Sequence, residues 1–591
     1  ALDFFLPIGT DWDAPLDGTI LPPALIPSPE QFSFSRLVSK ADAGRARASI
    51  GEEVVLGSNS WAVDGRISGS GSALVANDMH LALRLPNTWY RMRLICQPPG
   101  QPTPTLDITG VTLPGTPAII VGSNRFIAWA FTNSMLDTTD LIRLEVRKAE
   151  PDLYMTADGW KPVEEHRETL KVNGGENEVV TVRSTAWGPV VTAQKERVSY
   201  AVRWVTHLDG AVNFRLLELE QIRDADAALQ LAPECGIPAQ NFVVGDRSGK
   251  IGWTIMGRLP YRQQGLGLTP LSWVQGPGAW DGCLPPDRYP RYQDPDDGII
   301  WTANNRIAGG PDYMQTGPWG TDLGARARQI RDGLRDLKNA RPKDMLAIQL
   351  DDRAQFLARW QQLFLSVLNS PPSASRPEAE ELRSLLRKWG GRASTDSAGY
   401  RLVRGFRHEV LELALEPITK RCQELDQNFY YPTPQAEQPV WTLLQERPSH
   451  LLNPRFRSYD DLLAAAVDLL VRDLQEQGLR PREATWGRRN ELIVHHPIGL
   501  GLPALGRWLD TPLEQLPGDS HMPRFQSSEH GASERIAVSP GHEEEGLFHM
   551  PGGQSGHFLS PYYTAGHEAW AKGKPAPFLP GPPVHKLRLT P

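Results

Sequence analysis

The feature that most constrains this 591-residue chain is a change of hydrophobic period partway along it. From Val54, for about two hundred residues, apolar positions come in short β-branched and aromatic runs bounded by Gly, Asn or Asp. ALVANDMHLAL, AIIVGSNRFIAWAF, EVVTVRSTAWGPVV and NFVVGDRSGKIGWTIMG are such runs, and the last predicts a hairpin turning at Asp246 to Gly249. From about Arg326 the spacing becomes helical, in ARARQIRDGLRDLK, DMLAIQLDDRAQFLARWQQLFLSVL, AEELRSLLRKW and DDLLAAAVDLLVRDLQ. After Gly499 Gly, Pro and aromatics return, ending in GGQSGHFLSPYYTAGHEAW. Strands, then helices, then extended segments predict an α+β fold whose terminal part packs back on the sheet core. Residues 1–57, rich in Pro and carrying the charged KADAGRARASIGEE, read as a surface linker.

Several function classes lack their sequence signals. The 62 basic and 69 acidic residues are mixed along the chain, and without a basic block nucleic acid is not an expected partner. No stretch nears the roughly 18 consecutive apolar residues of a membrane span. The opening ALDFFLPIGTDWDAP has neither the charged start nor the apolar run of a signal peptide. Cys96, Cys235, Cys283 and Cys422 are too dispersed for a disulfide scaffold, although one or two bridges stay open. The His-Glu dipeptides at 542–543 and 567–568 do not continue as HExxH, so zinc lacks its second ligand one turn away. No GxSxG nucleophile elbow occurs; SGSGSA at 68–73, GGQSG at 552–556 and GDS at 518–520 read as small-residue turns.

The segment LGSNSWAV at 56–63 is a stronger candidate, because a small Gly57 precedes a Ser58 that leads directly into a strand. A serine there is by itself more often a turn residue than a nucleophile. Its weight comes from Gly57-Ser58-Asn59-Ser60-Trp61-Ala62-Val63 being followed by Ala76-Asn77-Asp78-Met79-His80-Leu81. Next come Leu113-Pro114-Gly115-Thr116-Pro117, Gly122-Ser123-Asn124 and Ala128-Trp129-Ala130-Phe131-Thr132-Asn133. DRSGKIGWTIMGRLPYR, Thr302-Ala303-Asn304-Asn305-Arg306, the HHP of 495–497, Gly531-Ala532-Ser533-Glu534-Arg535 and GGQSGHFLSPYY complete the series. In this order the motifs resemble the β-chain of the penicillin acylase family, which includes acyl-homoserine lactone acylases and belongs to the N-terminal-nucleophile hydrolases.

That resemblance implies an αββα sandwich of antiparallel sheets with a helical insertion over about 326–480. It also implies that residues 1–57 are a C-terminal remnant of an α-chain plus linker, that 58–591 form the catalytic β-chain, and that the α-chain of the same precursor is the partner. Cleavage at Gly57–Ser58 would free the serine α-amine, whose unperturbed pKa of about 7.7–8.0 suits it to take the hydroxyl proton. By resemblance, Asn304 supplies a side-chain oxyanion donor, Asn133 a backbone donor, His80 orients the nucleophile and Arg326 supports Asn304. On residue type alone, Asn304 reads as a turn residue in TANNR and Arg326 as a solvated arginine on a helix face. Leu81, Val121 and Phe131 would line an apolar acyl pocket, for a β-lactam amide or an acyl-homoserine lactone, with the aliphatic residues favouring a fatty-acyl group. No cofactor is implied for catalysis. Asp137 and Asp140 match the spacing of two acidic ligands of a structural calcium in several relatives, whose later ligand falls near Gly317. The family implies a periplasmic or secreted location. An uncleaved or inactive homologue that binds an acyl ligand is the alternative.

Overall fold

The computed structural model describes residues 1–37, 57–147, 149–193, 198–262, 269–274, 280–317, 320–371 and 373–589. Its centre is built from β1 (Gly57–Val63), β2 (Leu74–Ala82), β3 (Tyr90–Cys96), β4 (Leu106–Thr112), β5 (Val121–Ser123), β6 (Ile127–Asn133), β7 (Gln240–Asp246), β8 (Ile251–Met256), β9 (Arg291–Gln293), β10 (Ile299–Thr302), β11 (His530–Val538) and β12 (Leu547–His549). These make a five-stranded sheet in the order β10-β1-β2-β11-β12 and a seven-stranded sheet in the order β9-β8-β7-β6-β5-β4-β3. All the pairings are antiparallel. The hairpin read at Asp246 to Gly249 is β7–β8.

Strand β1 is buried along its whole length, which alternation permits only where both faces of its sheet are covered. The two faces are told apart by what their side chains meet. Trp61 donates its indole N–H to Met345 Sδ on the helical side, whereas the hydroxyl of Thr302, beside Ser60, meets Thr132 of the other sheet at 3.0 Å. Ser58, Ser60 and Ala62 therefore face the space between the sheets, and Gly57, Asn59 and Trp61 face helices. The sheets approach closely: a Cβ on Gly245 would lie 2.6 Å from Ala73 Cβ. Asn77 reaches across the gap, donating from Nδ2 to the carbonyls of Asn59 and Phe131 at 2.7 and 2.9 Å, and so ties β6 to β1.

Helices close both outer faces. Helix α1 (Ala225–Leu231) lies on the seven-stranded sheet, where Leu229 fills the space above Gly252. On the five-stranded sheet lie α2 (Ala325–Arg335) and α3 (Pro342–Gln349), the latter donating from Gln349 Nε2 to the Asn77 carbonyl at 2.8 Å. The result is the αββα sandwich of the α+β class.

The helical part continues as α4 (Ala358–Asn369), α5 (Ala379–Lys388), α6 (Ala398–Leu425), α7 (Thr433–Glu446) and α8 (Tyr459–Glu476). They enclose a core of their own, in which the rings of Phe364 and Phe406 stack at 4.3 Å. Burying such a side chain contributes roughly 1.5–3 kcal/mol. Ser397 and Ser458 start α6 and α8 by accepting the backbone N–H groups of Tyr400 and Asp461, which the helices leave unpaired.

The opening segment differs from its surface-linker reading. Phe4, Phe5 and Phe34 are buried in the helical core, because a Pro-rich stretch with aromatic anchors lies over an apolar surface without forming long elements of its own. The charged part of that reading, within 38–56, lies outside the described residues. All four cysteines are free, so neither open bridge is formed. Among the described residues no helix is long and apolar enough to cross a membrane.

Candidate active site

Ser58 is the second residue of β1 and is 6% exposed. Its backbone N–H donates to Asn304 Oδ1 at 2.6 Å, and its hydroxyl donates to the Gly57 carbonyl at 2.7 Å. The hydroxyl thus sits on the carbonyl of the peptide bond that precedes it. A Cβ on Gly57 would lie 2.6 Å from Arg326 Nη2 and 2.7 Å from Asn304 Oδ1, so only glycine fits before the serine.

Asn304 follows the end of β10 in the left-handed region, at φ 62°, which asparagine tolerates better than most residues. Oδ1 accepts from Ser58 N and from Arg326 Nη2 at 3.0 Å, which settles the orientation of the amide. Nδ2 donates to the Asn133 carbonyl at 2.8 Å. A primary amide carries two N–H donors, so the second is available to an acceptor in the site. The two residues read as oxyanion donors therefore lie together, Asn133 at the exposed end of β6 and Asn304 beside it.

Arg326 is fully buried at the start of α2, not solvated on a helix face. Nη1 donates to the Ser58 carbonyl at 3.0 Å and to Asn59 Oδ1 at 2.7 Å, while Nη2 serves Asn304. Its counter-charge is Asp322, one helical turn earlier, with Oδ2 at 3.1 Å from Nε and 2.8 Å from Nη2. Asp322 also donates its backbone N–H to the Asn304 carbonyl at 2.8 Å. It thereby holds the main chain of Asn304 directly and the side chain through Arg326. The sequence reading missed Asp322, although an acid four residues before an arginine at a helix start is a recognisable pairing signal.

The opening segment braces the same turn from below. Asp13 pairs with Arg306 Nε at 2.6 Å, and the Ala14 carbonyl accepts from Trp301 Nε1 at 2.8 Å and Asn305 Nδ2 at 3.2 Å. Burial raises the Asp13 carboxyl despite the opposing Arg306.

His80 pairs in register with Gly57, but its side chain lies on the helical face, opposite to the Ser58 hydroxyl. Its Nε2 donates to Asp78 Oδ2 at 2.7 Å, and its ring stacks on Phe525 at 4.5 Å. Burial lowers its pKa, so the ring is neutral. Asp78 Oδ2 also accepts from Asn59 Nδ2 at 3.0 Å, so His80 reaches β1 through Asp78 and Asn59 and not through the hydroxyl. Beside Ser58 in register, Met79 donates its N–H to Glu534 Oε1 at 3.1 Å. Burial first and Asp78 second push the Glu534 carboxyl well above its usual range.

The three residues read as an acyl pocket separate. Leu81 shares the face of Met79, and Val121 extends toward the same space between the sheets. Phe131 does not: alternation places Thr132 toward that space, so Phe131 points to the far side, against Phe242 at 5.4 Å between rings.

Asp137 and Asp140 do converge, but on a guanidinium. Arg262, with a side chain 3% exposed, places Nη2 at 3.0 Å from Asp137 and 3.2 Å from Asp140, and Nη1 donates to the Asp137 carbonyl at 2.7 Å. Burial raises the Asp137 carboxyl, and Arg262 opposes that rise. Gly317 closes the site, since a Cβ there would lie 2.9 Å from Asp137 Cβ. Calcium takes about six to eight oxygens, and a cation of the protein already stands between these two acids. Among the described residues no group of three or more His, Cys, Asp or Glu is placed to hold a metal. The residues do not fit a calcium ion.

Known proteins resemble the chain in sequence and in fold. The family model described as penicillin amidase matches residues 15–582. An acyl-homoserine lactone acylase of Pseudomonas aeruginosa is 27% identical over 603 residues, covering 90% of this chain and 68% of that protein. A penicillin acylase 2 proenzyme of a Pseudomonas species is 26% identical, covering 88% of this chain and 67% of that protein. The chain thus spans about two thirds of the length of these relatives. The fold matches a solved thermostable penicillin G acylase from Alcaligenes faecalis with a TM-score of 0.67 at 17% identity, covering 90% of this chain and 100% of that one. With sequence and fold in agreement over almost its whole length, the chain belongs to the penicillin amidase family and is a hydrolase of amide bonds.

Proposed function

We propose that the chain is an acylase that cuts itself between Gly57 and Ser58 and then uses Ser58 as its nucleophile. The observation that carries this reading is the hydrogen bond from Ser58 N to Asn304 Oδ1, backed by Arg326. The same acceptor that holds the peptide N–H would hold the α-amine after cleavage, keeping it beside the hydroxyl. In the hydrolytic step the amine takes the hydroxyl proton, the Ser58 oxygen attacks the amide carbon, and the proton passes to the leaving nitrogen. The free N–H of Asn304 Nδ2 and the backbone N–H of Asn133 would meet the oxyanion, a contribution of about 2.7–4 kcal/mol per donor. Water then releases the acid by the same route in reverse.

Leu81 and Val121 facing the space on the Ser58 side of the sheet support an aliphatic acyl group, on an acyl-homoserine lactone or a β-lactam amide. An α-chain partner from the same precursor and a periplasmic or secreted location belong to the same proposal. Intact mass and N-terminal sequencing of the protein expressed from its full-length gene test it. A chain beginning Ser-Asn-Ser-Trp is expected, and absent from a Ser58→Ala variant. Hydrolysis by protein that remains uncut would overturn the reading of the α-amine as base.

A further inference from the structure

A cavity of about 520 Å³ opens at the edge of the five-stranded sheet, beside β12. Three strand spacings separate β12 from β1, about 14 Å, so the cavity stands apart from Ser58. Its volume is that of a small-molecule site. Phe548, Met550 and Tyr562 give it apolar walls, Arg91 and Gln554 contribute polar groups, and no carboxylate lines it.

Arg91 is the unusual member. Its guanidinium lies over the Phe548 ring, 4.5 Å from the centroid, and Nη2 donates to the carbonyls of Pro577 and Phe578 at 2.6 and 2.5 Å. Among the described residues no carboxylate pairs with it, and burial lowers its pKa. His549, the next residue along β12, takes the opposite face beside Arg535, with Nε2 at 2.7 Å from the Lys574 carbonyl.

The walls are built and not merely draped. Gln554 accepts from Arg91 N at 3.2 Å and donates back to the Arg91 carbonyl at 3.0 Å. A Cβ on Gly553 would fall 1.7 Å from the Tyr562 carbonyl oxygen, so the turn in GGQSG requires glycine there. A cation held in an apolar enclosure without a counter-charge favours an anionic ligand, and the walls favour one with hydrocarbon attached.

We propose that this cavity is a second binding site, for a small carboxylate carrying an apolar chain, with Arg91 meeting the carboxylate and Phe548 and Met550 the chain. The site holds whether or not the chain cleaves itself, and it is tested on protein whose chemistry is switched off.

The experiment is calorimetric titration of octanoate into the full Ser58→Ala chain, with octanol as the neutral probe of the same chain length. Saturable octanoate binding is expected, weakened about tenfold or more by Arg91→Met, as for loss of a charge-assisted hydrogen bond. Octanol should bind more weakly by a similar factor. Ala565→Phe, at an exposed position on the cavity rim, fills the space while leaving the guanidinium in place, and should weaken octanoate even if Arg91→Met fails to fold. No saturable octanoate binding, equal binding of octanol, or octanoate binding unchanged by Ala565→Phe would each overturn the proposal. None of these outcomes bears on the Ser58 assignment, which N-terminal sequencing decides.

Discussion

Two buried arginines, Arg326 beneath Ser58 and Arg262 between Asp137 and Asp140, do different work with the same side chain. Arg326 spends most of its donors on neutral oxygens, the Ser58 carbonyl, Asn59 Oδ1 and Asn304 Oδ1, with a single acid, Asp322, as counter-charge. Arg262 binds two acids and a backbone carbonyl of one of them. The first arrangement fixes positions, since a planar fork aims each N–H at one acceptor. The second cancels charge, since a guanidinium set between two carboxylates offsets their mutual repulsion. Loss of the first should therefore show in chemistry, and loss of the second in stability and in the response to added cations.

The largest effect is expected for Arg326→Met. It removes the guanidinium donor to Asn304 Oδ1 and leaves Asp322 buried without its partner, a change that costs about 3–5 kcal/mol. Chemical denaturation should show that loss, and intact mass should show uncut precursor. Normal processing would mean that Arg326 is structural ballast and would erase the contrast with Arg262.

Asp322→Asn sharpens the same point with a smaller disturbance. It preserves shape and one acceptor, keeps the backbone bond to Asn304, and removes the charge, for about 1.5–3 kcal/mol. The clamp around Asn304 should loosen, and kcat should fall by about a hundredfold with KM little changed, as for a small displacement of a reacting group. A KM effect with unchanged kcat would show that Asp322 serves binding and not the oxyanion side of the site.

These residues also show what the sequence could and could not yield. Strand and helix regions were legible from period alone, and the β7–β8 hairpin from its turn, because local patterning records which faces are buried. Helices α6 and α7 were not picked out as segments. Pro417 interrupts one and Pro439 the other, and α6 is buried so widely that its apolar stripe is blurred. At the site, the Ser58, Asn304, Asn133 and Arg326 cluster was named from resemblance, whereas residue type alone misread Arg326 as solvated. The roles of Asp322, Asn59 and Asp13 are not legible in the sequence, since they come from contacts across long stretches of chain or through the buried Arg326. Phe131 was misplaced for a simpler reason: a resemblance supplies residue type, but which face of β6 it takes depends on register.

Arg262→Met should cost less than either change at the Asn304 clamp, about 1–3 kcal/mol, because Asp137 keeps some access to water and can take up a proton. Burial already raises the Asp137 carboxyl in the presence of Arg262, and without that cation it should rise further. The sign follows from linkage: a carboxyl whose folded pKa lies above its unfolded value binds the proton more readily when folded, so it destabilises the fold as pH climbs through and past that range. The variant should lose stability from acid to neutral pH more steeply than the parent does.

The smallest effect is the sharpest statement about Arg262. With a guanidinium already between Asp137 and Asp140, a chelator or added calcium should leave the melting temperature of the parent protein unchanged. In Arg262→Met the two carboxylates face a vacated space, and millimolar calcium should recover part of the lost stability by binding the folded state in preference to the unfolded one. Magnesium, which demands tighter octahedral geometry, should do so less well. A parent protein that melts earlier in chelator would place a metal elsewhere in the fold. A variant that ignores calcium would show that the acids are held by their strand and turn, with Arg262 answering their charge without having shaped their geometry.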